Sequence, residues 1–292
     1  MASLKDTKNR INSVNSTLKI TSAMKMVASA KLRHAQNAIE SMNPYESKLR
    51  EMLELLLATV PADKLHEIIH DGPASSEGTV ALVAFASNSS LCGGFNVNAL
   101  HAVKARISEL EAQGFKVEVI SVGRKMADAM KKAGYPSARD WSALVNEASY
   151  AAVEELADLL NDSFMEGKYS RVELIYNHFI STSSQKVLQE TYLPMDIPVQ
   201  DATSIIENPE DIIIEPTPEQ MLADLLPCVR SLRLYTVVLD TLAAEHAART
   251  VAMQTATDNG EELLHDLTIE YNKARQQKIT NEILDLVSGS MH

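Results

Sequence analysis

A seven-residue apolar repeat opens this 292-residue chain and sets narrow limits on what it can become. One seam, taken at every seventh residue from position 4, reads Leu4, Ile11, Leu18, Lys25, Leu32, Ile39, Glu46 and Leu53. Its companion from position 7 reads Thr7, Val14, Thr21, Ala28, Ala35, Met42, Leu49 and Leu56. Twelve of these sixteen positions are apolar. A heptad sustained this far specifies one long helix that pairs along a stripe, as in a coiled coil. At ~1.5 Å per residue, a helix over 4–60 is roughly 80 Å long. Thr7, Thr21, Lys25 and Glu46 keep the seam from being a maximally stable zipper. Pro44 should kink or locally break the helix.

The far end of the chain has a similar texture. Helical patterning runs over 218–288, with Pro227 allowing a kink or restart. Leu232, Leu239, Leu242, His246, Arg249 and Met253 follow helical spacing, and a polar stretch over 254–262 carries Gly260. Leu263, Leu267, Tyr271, Ala274, Ile279, Ile283 and Leu286 then resume the stripe. Long heptad-like helices at both ends predict an intramolecular antiparallel coiled coil.

Between them the pattern alternates. Residues 71–78 are rich in Gly, Pro and Ser and read as a linker. Strands are expected at 79–86, 116–122 and 172–179, with weaker candidates at 186–192 and 211–214. Helices are expected at 97–112, 124–132 and 147–165. Alternating strands and helices imply an α/β domain with a parallel or mostly parallel sheet. The expected fold is therefore α/β: a long antiparallel coiled coil of N- and C-terminal helices with an inserted Rossmann-like domain. Its divisions are 1–70, 75–214 and 215–292.

Charge is unevenly spread. The chain carries −12, yet residues 1–50 hold nine Lys or Arg against three acids. Such a basic segment pairs with acids of its own chain or faces an acidic partner. The acidic remainder would repel phosphate backbones, and no aromatics interleave the basic residues, so nucleic acid is not the expected partner. Cys92 and Cys228, far apart, suggest neither a disulfide framework nor a metal site. The longest apolar runs are too short to span a bilayer.

Few motifs point to chemistry. Ser89-Ser90-Leu91-Cys92-Gly93-Gly94-Phe95-Asn96 follows the first strand and opens a helix, where a phosphate could sit. It lacks the P-loop ending and the dinucleotide spacing. A tight strand-to-helix turn needing two glycines is the simpler reading. Cys92 has no evident base, with His101 the only nearby histidine, and reads as a buried inert thiol. His66 and His70 are spaced like a helical metal pair, but no further ligand completes a set. In 21–33, TSAMKMVASAKLR, small, Met and basic residues wrap every side of one helix, more than a two-helix seam requires. That distribution fits a helix surrounded by further protein, and it predicts that the isolated chain aggregates.

Read together, these segments resemble the γ subunit of F-type ATP synthases from end to end. The carriers are INSVNSTLKITSAMKMVASAKLR at 11–33, SSLCGGFN at 89–96, EHAARTVAMQTATDN at 245–259 and LTIEYNKARQQKITNEILDLVSG at 267–289. The family turn usually reads S-D-R-G-L-C-G-G-F-N; here Ser87-Asn88-Ser89-Ser90 precedes Leu91, so the acidic–basic pair and one glycine are missing. No dithiol insertion is present, and the opening helix begins at once, as in bacterial members without a presequence.

The resemblance implies a central rotor shaft with no bond-making chemistry and no cofactor of its own. Its partners would be the α and β subunits of the catalytic ring, the ε subunit and the c-ring. It would sit at the cytoplasmic face of the bacterial inner membrane, peripheral to it through the complex. By matching position, Met24, Lys25 and Lys31 would face β subunits at the ring's mouth. Arg249, Arg275, Gln276 and Thr280 would make polar catch contacts, and Leu286 and Val287 would turn in the ring's apolar sleeve. A static coiled-coil scaffold and a nucleotide-binding enzyme built on the α/β domain are the competing readings.

Overall fold

A computed structural model describes residues 4–61, 64–65, 68, 78–146, 148–195 and 214–289. The elements in order are α1 (Leu4–Thr59), β1 (Thr79–Phe85), α2 (Phe95–Ala112), β2 (Lys116–Val122), α3 (Arg124–Ala133), a 3-10 turn (Ser142–Val145), α4 (Tyr150–Met165), β3 (Arg171–Ser181), β4 (Ser184–Leu193) and α5 (Pro218–Gly289). The chain separates into two compact units: Met1–Ala30 with Arg249–His292, and Lys31–Ala248. The linker expected at 71–78 and the strand candidate at 211–214 fall almost wholly outside the described residues, as do His66 and His70.

The heptad reading of α1 holds along its whole length. All sixteen seam positions are buried or half-buried, the four polar ones included. Neither proline breaks its helix: the local break that Pro44 could have made is absent, and no new helix starts at Pro227. Pro44 lies inside the 56-residue α1, and Pro227 inside the 72-residue α5. Each removes one backbone donor from a helix whose apolar face is fastened on both sides of it, by Ala35 and Leu49 around Pro44 and by Leu222 and Leu232 around Pro227. Tertiary burial of that face outweighs the missing bond.

In the first unit, the helices run antiparallel. The hydroxyl of Thr257 donates to that of Thr21 at 3.0 Å, and Gly260 lies against Leu18. Continuing that register sets Val14 beside Leu264, Ile11 beside Leu267, Thr7 beside Tyr271 and Leu4 beside Ala274. All of these are buried or half-buried. The seam therefore uses Leu264, and Leu263, placed in the stripe from sequence, is exposed. A Cβ on Gly260 would meet Leu18 Cδ2 at 2.7 Å. Replacing Gly260 with leucine is expected to destabilise this unit by about 1–3 kcal/mol through overpacking. Adding Leu18→Ala should restore part of the loss, and hydrogen exchange over residues 4–28 would report both.

The second unit is built on one sheet of order β2-β1-β3-β4. β1 pairs parallel with β2 and β3, and β3 turns back into antiparallel β4. β1 is buried on both faces, as a near-continuous apolar run in a covered parallel sheet should be. Val80, Leu82 and Ala84 meet α2 and α3 through Ala99, Val103, Ile107, Met126 and Met130. Ala81, Val83 and Phe85 join a larger core with α4, the Leu32–Ala35 stretch of α1, and Leu234, Val238, Leu242 and Ala247 of α5. One of the two weaker strand candidates from sequence, 186–192, is the well-formed β4.

Candidate partner-binding surface

The pairing of α1 and α5 ends before α5 does. From 275 to 287 every side chain of α5 is exposed, among them Ile279, Ile283, Leu284 and Val287, with Leu286 at 74%. The stripe expected to continue through Ile279, Ile283 and Leu286 is present, and among the described residues no helix is opposite it, since the register brings Leu4, the first described residue, beside Ala274. Residues 275–289 form about 22 Å of single helix. Such a segment lacks the tertiary burial that normally stabilises a helix. Deleting 275–289 is expected to shift the melting midpoint of the isolated chain by less than about 2 °C, read by circular dichroism, because almost no buried area is lost.

The nine residues assigned to partner contact fall into distinct settings. Arg275, Gln276, Thr280, Leu286 and Val287 all lie on the single-helix segment, and the Thr280 hydroxyl donates to the Gln276 carbonyl at 3.0 Å. Met24 and Lys25 are half-buried, Lys25 in a seam position, and Arg249 is buried. Lys31 is exposed and belongs to the second unit. Arg249 and Arg275 are separated by about 39 Å of helix, so the set forms two groups rather than one site. Around Met24, α1 exposes Ile20, Met26 and Val27 at 57–64%. Of the nine basic residues in 1–50, eight are exposed, and Lys48 and Arg50 are in ion pairs with Glu51 and Glu46. Most of the basic excess thus faces outward.

The turn after β1 is a packed joint. Leu91 takes φ 68°, a rare conformation for a bulky residue, and Gly93 takes φ 58°. Asn96 Oδ1 accepts the Ser87 N–H at 3.0 Å, and its Nδ2 donates to Ser87 Oγ at 2.8 Å and lies 3.2 Å from Cys92 Sγ. Beside it Asn88 accepts the Arg124 N–H at 2.8 Å and donates to the Ser142 carbonyl at 2.7 Å.

In a doubly wound sheet the ligand crevice opens where the strand order reverses, here between β1 and β3. That position is filled by α5: Cys92 and Phe95 pack against Ala244 and Ala248, with Phe179 alongside. Cys92 is buried with Ser87 and Asn96 at its thiol. Among the described residues no group of three or more His, Cys, Asp or Glu could hold a metal ion, and no helix is long and apolar enough to cross a membrane.

Sequence reasoning missed the charged residues that fasten the sheet. Glu173 is buried in β3 and receives Arg106 through two 2.8 Å bonds, with Arg171 and Gln189 each at 3.2 Å. The bond to Glu173 is the main reason Arg106 is held protonated even more firmly than an ordinary arginine. A glutamate within an apolar strand run was the available signal. Asp240 joins α5 to β3, and nothing in its helical spacing marked it.

Fold and surface define a class: two long terminal helices, antiparallel where they pair, with a central mixed four-stranded sheet. The ATP synthase family model matches residues 3–291. The ATP synthase gamma chain of Bacteroides fragilis is 48% identical, and that of Bacteroides thetaiotaomicron 46%, each alignment covering all of both chains. A chain of the Euglena gracilis mitochondrial ATP synthase (OSCP/F1/c-ring, rotational state 3) shares the fold with TM-score 0.67 at 19% identity, covering 99% of this chain and 93% of that one. This chain belongs to the ATP synthase gamma chain family.

Proposed function

We propose that the chain is the central rotor shaft of an F-type ATP synthase, coupling ion-driven rotation of a c-ring to ATP synthesis or hydrolysis on β subunits. The full-length match to gamma chains carries this reading. The two-helix unit enters the ring of α and β subunits. The α/β unit, with ε, holds the c-ring, and the complex keeps the chain peripheral at the cytoplasmic face of a bacterial inner membrane. The working parts are then the helix at 1–70, the α/β domain at 75–214 and the helix at 215–292.

The shaft acts as a ligand whose faces differ. Each β subunit meets a different face, so rotation biases each site toward a conformation of different nucleotide affinity. Met24, Lys25 and Lys31 face β subunits at the ring's mouth; Arg249, Arg275, Gln276 and Thr280 make polar catch contacts along α5, and Leu286 and Val287 turn in an apolar sleeve. Exposed basic residues of α1 suit acidic β-subunit loops, giving docking specificity more than affinity. Bond-making stays on β, in keeping with a crevice that α5 already fills.

The test is reconstitution with cognate α and β subunits, sized by light scattering and assayed for ATP hydrolysis. One copy per ring with hydrolysis raised over α and β alone is the expected result. A chain that stays separate and leaves hydrolysis unchanged would overturn the proposal.

A further inference from the structure

The sheet grips α5 at two levels about 15 Å apart along the helix. At the first, the Tyr192 hydroxyl donates to the Arg230 carbonyl at 3.0 Å, and the Arg233 guanidinium pairs with Glu190 at 2.5 and 3.2 Å. At the second, Asp240 uses both carboxylate oxygens on β3. Oδ1 accepts the Phe179 N–H at 2.8 Å, and Oδ2 lies 2.6 Å from His178 Nδ1. One turn further, Ala244 and Ala248 admit the Cys92 turn against the helix.

These contacts differ in what they constrain. From 241 to 249 every residue of α5 is buried. The apolar driving force around a helix is non-directional, so it restrains the angle about the helix axis less sharply than a directed bond does. Hydrogen bonds are directional and select that angle. Directed bonds at one level already resist that swivel, and a second level adds its stiffness in parallel with the first. Asp240 is the more constraining of the pair, because one short, stiff side chain is bound at both oxygens to consecutive residues of one strand.

We infer that Asp240 is a positioning residue that carries torque: it sets the angle of α5 about its axis against the sheet, so that sheet and helix turn together without lag. This rests on the rotor reading above. The test uses the complex with α and β immobilised through the ring, with a gold bead on Lys132→Cys in a Cys228→Ser background. Lys132 is exposed on α3, and Cys92 is buried. The readout is the angular variance of the bead while the ring is held at one dwell.

In Asp240→Ala the variance should rise at least twofold, as expected when the stiffer of two charge-assisted latches acting in parallel is lost. Asp240→Asn, able to accept from Phe179 and to donate to a neutral His178 ring, should restore it. Unloaded hydrolysis should stay unchanged in both. Should Asp240→Ala fail to fold, His178→Ala, which removes a partly exposed ring and leaves the Phe179 bond, should give an intermediate rise. Variance equal to the parent in Asp240→Ala, or in His178→Ala where that variant stands in, would overturn the inference, as would an Asp240→Asn complex as slack as the alanine variant. A parent complex that assembles no ring or does not rotate would overturn the rotor reading itself, and the inference with it.

Discussion

Arg106→Ala is expected to cost about 3 kcal/mol of folding free energy, the lower end of the range for breaking a buried ion pair. The reason lies in what is left behind. Glu173 is 1% exposed on β3 and keeps only Arg171 and Gln189, each at 3.2 Å, once the two 2.8 Å bonds from Arg106 are gone. A carboxylate stranded in the interior is what destabilises, more than the lost attraction. The double variant Arg106→Met, Glu173→Met removes the charge with its partner and should recover most of the loss. Urea denaturation of the parent, Arg106→Met, Glu173→Met and the double variant closes the cycle, with Arg106→Ala measured beside them. If the double variant is as unstable as Arg106→Ala, the packing of Arg106 rather than the stranded charge governs this position.

Much of this architecture was legible because it depends on periodicity. A seven-residue repeat names the buried face of a helix before any partner is known, and all sixteen seam positions of α1 are shielded. β1 and β2 were equally plain: TVALVAF is a continuous apolar run after Gly78, and KVEVISV is a β-branched run between Gly114 and Gly123. The features that escaped depend on register. Leu264 rather than Leu263 enters the seam because Thr21 and Leu18 fix where α5 lies. Ile279 and Ile283 carry the same stripe as Leu267 yet are exposed, because a stripe states which face is apolar and not whether anything covers it. At Pro44 and Pro227 the helix runs on unbroken for a related reason: burial distributed along the helix outweighs one missing bond. The partner-facing residues were named through resemblance, and their grouping into two sets about 39 Å apart is a matter of helix geometry alone.

Gly123→Ala should be among the most damaging single changes in the α/β unit, with an expected loss of roughly 3 kcal/mol or more. Gly123 joins β2 to α3 at φ 102°, where an L side chain is strained. Space decides the magnitude. A Cβ there would stand 1.9 Å from the Ala86 carbonyl oxygen and 2.8 Å from its carbon. That backbone cannot retreat cheaply, because Ala86 donates to the Val122 carbonyl at 2.9 Å and Lys125 donates to the Ser87 carbonyl at 3.1 Å. Gly134, at φ 93° and with nothing within 4 Å of its built Cβ, supplies the control. Gly134→Ala carries the backbone strain without the collision and should lose only about 1–2 kcal/mol. Thermal melts of the two variants separate the contributions. A clearly larger loss at Gly123 shows that the close approach of Ala86 requires glycine there. Equal losses would mean that the strand end moves aside, and that the joint between β1, β2 and α3 is softer than its hydrogen bonds imply.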